Sequence, residues 1–189
     1  MIRAGRVVAY PTDTFYGLGV DPRNPEAARR LFALKGRPES SALILIASDL
    51  DQVHAAGELS ADARRLAEQW WPGRLTIVVR ARDGLADETL AGGSTVGVRV
   101  PNHPVARAFA RASGFCVTAT SANQSGQPAA TSAADIVEAL PGVDLVLDAG
   151  ASRGGAPSTI VDASNVTITL VRAGAIAWER VLKSLSSGA

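Results

Sequence analysis

Three stretches of this sequence gather hydroxyls, amides and glycines: Thr12 to Gly19 (TDTFYGLG), Thr118 to Gly126 (TATSANQSG) and Arg153 to Thr159 (RGGAPST). Each borders a strand-like run, and loops leaving the strands of α/β proteins converge on ligand crevices. Together they predict a polar pocket. Permanent cations accompany them: Lys35 and Arg37 in KGRP, Arg99 in GVRVP and Arg172 in VRAG. Guanidinium forks suit phosphate and carboxylate oxygens, whereas lysine acts as a point charge, so the expected ligand is anionic. Arg99 interrupts an apolar strand, and a buried cation needs a partner, either a loop carboxylate or a ligand. Ser121, Asn123 and Ser125 either cap their own turn or face the pocket. Among the 19 basic residues only Lys35 and Lys183 are lysines, which singles out Lys35.

Other chemistries lack their residues. GASRGG resembles a phosphate loop but leads into strand-like STIVD without GK[ST], and no GxGxxG is present. The two histidines, His54 and His103, lack the partners of a triad or zinc site; His103 opens a helix as a cap or ligand neighbour. Cys116 is the only cysteine, so no internal disulfide forms, and its apolar setting FCV marks a buried side chain. Asp13, Asp21 and Asp162 read as turn formers that could also reach Mg²⁺ through water. No metal site with direct side-chain ligands is predicted.

The elements that must hold these groups can be read from hydrophobic pattern and caps. Strands are expected at Val7 to Tyr10, Leu43 to Ala47, Leu75 to Val79, Val96 to Val100, Phe115 to Ala119, Leu145 to Leu147, Ser158 to Val161 and Val166 to Val171. Asn24-Pro25 starts a helix that ends near Gly36. Further helices are expected over Asp49 to Ala56, Ser60 to Trp70, His103 to Ala112, Ser132 to Leu140 and Ala175 to Leu185. Gly84 to Ser94 reads as a mobile segment. Strands and helices interleave, which predicts an α/β class with a mixed sheet, in one domain spanning 1–189.

Composition agrees with an enzyme core rather than a disordered or membrane chain: 47% of residues are apolar and 20% charged over 189 positions. No apolar run approaches the roughly 20 residues of a membrane helix, and MIRAGRVVAY lacks a secretory pattern, so a cytoplasmic protein is expected. A net charge of +1 argues against broad nucleic-acid binding, and any RNA contact should be weak or local.

YPTDTFYGLG, KGRP followed by ALILIA, WPGRLT, GVRVPNHP, TSANQSG, STIVD and VRAG, in this order from Val7 to Ile176, resemble the YrdC-like family of threonylcarbamoyl-AMP synthases. The resemblance implies a twisted mixed sheet with flanking helices around a concave, positively charged cavity for ATP and L-threonine. It implies that Lys35, Arg37, Thr95, Ser121, Asn123 and Arg172 hold the nucleotide, with Lys35 and Arg37 catalytic. Thr12, Arg99 and Ser158 fall at positions around L-threonine, Arg99 facing its carboxylate. The implied reaction joins L-threonine, bicarbonate or CO₂ and ATP, with Mg²⁺, into threonylcarbamoyl-AMP and pyrophosphate. A downstream tRNA threonylcarbamoyl transferase would pass the product to tRNAs reading ANN codons, so that this chain's own tRNA contact would be weak or indirect.

Two departures stand out. Arg74 in WPGRLT replaces the family's usual proline, and ESSALILIA differs from the usual sequence after KGRP, which affects Glu39 to Ala42. The chain resembles the short form of the family, with Met1 to Gly5 as the tail of a preceding helix. A carbamoyl-adenylating paralogue and an RNA-binding module are the alternatives. Acylphosphatase and zinc-finger segments are absent, and so is an aromatic base-stacking platform.

Overall fold

Side-chain alternation sets the layers of the molecule, whose computed structural model describes residues 1–37 and 41–186. In β5 (Leu75–Ala81), Leu75, Ile77 and Val79 are fully buried, and Val96 and Val98 of β6 (Thr95–Arg99) continue the same layer. Leu45 of β3 (Ile44–Ile46) and Val161 of β9 (Thr159–Asp162) join them in one apolar cluster. Successive strand residues face opposite sides, so these positions define one face of the sheet. Helices cover it: α2 (Leu50–Ala56) supplies Val53, α3 (Ala61–Trp70) Leu66, and α7 (Trp178–Ser186) Val181. Each buried aliphatic side chain contributes about 1.5–3 kcal/mol of transfer free energy.

The remaining strands are β1 (Val8–Tyr10), β2 (Gly17–Gly19), β4 (Gly57–Glu58), β7 (Val117–Ser121), β8 (Leu145–Val146) and β10 (Thr169–Arg172). The sheet runs β10, β9, β5, β6, β3, β7, β2, β1, β8, with β4 beside β5. Pairing is mixed: β3 with β6, β5 with β9 and β1 with β8 are parallel, while the other pairs are antiparallel. Around the β1–β2 end, α1 (Pro25–Lys35) and α6 (Ala133–Ala139) pack Leu31, Phe32 and Ile136 against Ala9, Leu18 and Leu43. Ala106 and Ala110 of α5 (Pro104–Ser113) cover Val8, Tyr10 and Val117.

Caps set the helix ends where the sequence places them. Asn24 accepts from the Ala27 amide at 3.1 Å, and Gly36 closes α1 with φ 57°, its amide reaching back to Phe32 and Ala33 carbonyls. That left-handed turn favours glycine. Ser132 and Asp135 form a reciprocal capping box at α6.

Three expectations change. GLG within the first polar segment forms strand β2, whose glycines permit close packing: a Cβ on Gly19 would lie 2.8 Å from the Tyr10 ring. The stretch read as mobile contains α4 (Asp87–Leu90), where Thr89 donates to Pro22 O at 2.9 Å and accepts from the Leu43 amide at 2.9 Å through its carbonyl. The last strand is confined to Thr169–Arg172, because residues 166–168 lie outside its pairing with β9. Among the described residues, no helix is long and apolar enough to cross a membrane.

Candidate active site

The strand positions that alternate away from the core under α2, α3 and α7 form the floor of a cavity of about 550 Å³. Ile44 and Ile46 of β3, Thr76 and Val78 of β5, and Thr95, Gly97 and Arg99 of β6 all line it. Their spacing of two places the site on a face of the sheet, not at the strand ends as the loop pattern suggested. Gly97 leaves the floor deep, since a Cβ there would already lie 3.3 Å from the Thr76 methyl.

The three polar segments form the walls. From the first come Thr12, Thr14 and Phe15; Thr12 Oγ1 donates to Phe15 O at 2.7 Å and accepts from the Thr14 amide at 3.1 Å, so the turn is held by its own side chain. The second supplies Ser121 and Asn123. Ser158 comes from the third, and its hydroxyl lies 2.9 Å from Thr76 Oγ1. Ala42 also lines the cavity, whereas Glu39 and Ser40 lie outside the described residues.

Arg37, Arg99 and Arg172 line this cavity, and among the described residues no carboxylate does. Burial pushes the pKa of all three guanidinium groups down, which favours binding an anion that restores solvation. Arg172 donates to Ser158 O at 2.8 Å and Ser158 Oγ at 3.2 Å, tying strand β10 to the third segment. Arg37 donates to Thr120 Oγ1 at 3.2 Å.

Arg99 resolves the choice left by the sequence by doing both things. It forms an ion pair with Asp13 and donates through Nε to Gly73 O at 2.8 Å, yet it also lines the cavity. A guanidinium has five N–H donors, and these bonds occupy two, so donors remain for a ligand. Asp13, expected to form a turn or to reach Mg²⁺ through water, instead serves as the carboxylate partner of Arg99. Neighbouring Asp21 pairs with Arg23 at 2.7 Å, and Asp162 accepts from the Ser164 amide at 2.8 Å.

Lys35 lies behind the wall. It is buried at 3% exposure and does not line the cavity. Its ammonium donates to Ser121 O, to Asn123 O at 2.7 Å and to Asn123 Oδ1 at 3.4 Å, while its own carbonyl accepts from the Ser125 amide at 2.8 Å. All three ammonium donors are thus committed to the loop that carries Ser121 and Asn123. Burial, reinforced by the nearby Arg37 charge, lowers its pKa to about 8. Cys116 is buried with its thiol pushed up to about 12 by desolvation, so it stays a neutral packing group. Trp70 and Trp71 pack against the helix-covered core.

The family model Sua5/YciO/YrdC, described as telomere recombination, matches residues 1–174. The threonylcarbamoyl-AMP synthase of Bacillus subtilis (strain 168) is 35% identical over 184 residues, covering 96% of this chain and 53% of that protein. That of Thiobacillus denitrificans is 40% identical over 162 residues, covering 85% and 86%. The crystal structure of P. abyssi Sua5 complexed with L-threonine superposes with a TM-score of 0.91 at 34% identity, covering 97% of this chain and 54% of that one. The chain therefore spans about half the length of the first curated relatives it matches. With a model match over most of its length and relatives above 30% identity, the chain belongs to the Sua5/YciO/YrdC family.

Proposed function

We propose that this chain is an L-threonylcarbamoyladenylate synthase, forming threonylcarbamoyl-AMP and pyrophosphate from L-threonine, bicarbonate or CO₂, and ATP. The observation that carries the reading is a cavity lined by three arginines and, among the described residues, no carboxylate, in a chain similar to proteins named threonylcarbamoyl-AMP synthase. Arg37, Arg172, Thr95, Ser121 and Asn123 are assigned to ATP, and Arg99, Thr12 and Ser158 to L-threonine. Lys35 supports the nucleotide side from behind the wall. The product serves N6-threonylcarbamoyladenosine formation in tRNAs reading ANN codons through a downstream transferase in the cytoplasm.

In this reaction the threonine amine bonds to the carbon of CO₂ and loses a proton to bicarbonate or water. A carboxylate oxygen of the resulting carbamate attacks the α-phosphorus of ATP, and the P–O bond to pyrophosphate breaks. Negative charge shifts onto pyrophosphate, and Arg37 and Arg172 are placed to balance it. Arg99, clamped by Asp13 and Gly73 O, holds the threonine carboxylate in one orientation, which removes rotational freedom before the attack. Among the described residues the cavity offers Mg²⁺ no side-chain carboxylate; the ion is assigned to the ATP phosphates and no step here is routed through it.

The test is pyrophosphate release from ATP, Mg²⁺ and bicarbonate, with L-threonine, with L-serine, and with no amino acid. Threonine-dependent release together with a product of threonylcarbamoyl-AMP mass is the expected outcome. A folded protein that releases no pyrophosphate with threonine overturns the reading.

A further inference from the structure

Behind the Arg99–Asp13 pair lies a second cavity, of about 860 Å³, that the proposed reaction does not use. Its lining includes Asp13, Arg74, His103, Ser152 and Arg153. Three buried side-chain polar atoms have no hydrogen-bond partner among the described residues: Asp13 Oδ2, His103 Nδ1 and Ser152 Oγ. All three belong to residues lining this one cavity. Buried polar groups are nearly always paired, so three unpaired ones around one space mark a place where a ligand completes the bonding.

Charge narrows the chemistry. Arg74 donates only to the Asp13 carbonyl, and Arg153 forms neither an ion pair nor a hydrogen bond among the described residues. The lining holds two guanidinium groups and, among the described residues, one carboxylate, Asp13, which is already paired with Arg99, leaving an excess of positive charge. An anion is required. The Asp13 oxygen adds a second condition, because a fully deprotonated anion beside it would be repelled, whereas an O–H group would donate to it. Burial lowers the His103 pKa against a smaller opposing influence from Asp13, which favours the neutral imidazole as a further neutral partner.

We propose that the second cavity is a binding site for a small hydrogen-bearing oxyanion, its oxygens on Arg153, Arg74 and Ser152 and its O–H on Asp13 Oδ2. Bicarbonate, hydrogen phosphate and hydrogen pyrophosphate share this chemistry. A bond to Oδ2 draws charge from the carboxylate that clamps Arg99, so occupancy here is felt on the wall of the first cavity. The Ser152 amide donates to Thr131 O at 2.7 Å, which fixes the segment carrying Arg153 over the site.

The experiment follows the two histidine ring signals by NMR while bicarbonate, phosphate or pyrophosphate is added at pH 7, with sulfate at matched ionic strength. His54, on α2 and outside this lining, is the internal control. A saturable shift of His103 alone, caused by at least one hydrogen-bearing oxyanion and weakened roughly tenfold or more in Arg153→Gln, is expected. Ser152→Ala should weaken it as well, with ATP affinity unchanged in both variants. The anion that saturates at the lowest concentration identifies the source. Equal binding of sulfate, a response unchanged in Arg153→Gln, or no response to any of the three overturns the proposal. The readout is binding alone, so it stands or falls separately from the synthase reading.

Discussion

At the residue scale, Lys35 is the side chain whose position changes its interpretation most. Its type and its place in KGRP were legible as a special cation, but its direction was not, because helix α1 ends at Gly36 and the last turn aims Lys35 away from the cavity while Arg37 enters it. We expect Lys35 to work by pinning the loop of Ser121 and Asn123. With a pKa of about 8, the ammonium loses a proton just above neutrality and one of its donors with it. Turnover should therefore fall as pH rises through about 8, mainly through a higher KM for ATP. Stability has the opposite sign: the folded pKa lies below the unfolded value, so the unfolded chain binds the extra proton and stability rises between about pH 8 and 10.5. Lys35→Arg, which titrates far above this window, should retain the loop and remove the alkaline limb. A pH–rate profile of that variant that keeps the same limb would assign the ionisation elsewhere. Arg99 is the contrasting case, since its need for a partner was legible, but the partner's identity depended on a turn bringing Asp13 across from a distant segment.

At the element scale, the site exists because β6 presents two different faces. Val96 and Val98 enter the helix-covered core while Thr95, Gly97 and Arg99 enter the cavity, and that alternation can be read directly from TVGVR. The other strands were legible to different degrees. Leu75–Ala81 carries a strong apolar pattern, whereas Gly17–Gly19 reads as a turn because glycine has no strand preference and its pairing with β1 and β7 is a tertiary effect. Every residue of β10 is exposed; the alternation in VTITLV marks a strand there, but its start at Thr169 and its extension to Arg172 are set by the ladder to β9. Gly97 gives the test of the two-face arrangement. A valine there would keep strand geometry but extend into the floor, where even a Cβ comes within 3.4 Å of Ile44. Gly97→Val should cost no more than roughly 1–3 kcal/mol of stability as overpacking, yet reduce ATP affinity by more than tenfold. Circular dichroism and ATP titration separate these effects, and unchanged ATP affinity would remove the sheet face as the nucleotide floor.

At the scale of the whole molecule, the two cavities share one wall, the Arg99–Asp13 pair, and strands β5 and β6 turn one face to the core under α2, α3 and α7 and the other to the first cavity. The α/β class, the helix caps and the polar segments were legible in sequence because they follow from local pattern. The placement of the site on a sheet face and the second cavity were not, since both depend on which strands become neighbours. Among the described residues Arg37 and Arg172 have hydroxyl and carbonyl partners but no carboxylate, which leaves their part of the cationic wall uncompensated in the free protein. Ligand binding should then raise stability strongly. ATP at 100 times its Kd contributes about 2.7 kcal/mol to the folded state, and a chain of this size gains about 2–4 °C per kcal/mol, so a Tm increase of roughly 5–11 °C is expected. In Arg172→Gln most of that increase should disappear at the same ATP concentration, while the ligand-free Tm changes little. If instead the ligand-free Tm of that variant drops by the full amount and the ATP shift survives, Arg172 serves the β9–β10 edge through Ser158 rather than the nucleotide, and the charge assignment of the wall must be redrawn around Arg37 alone.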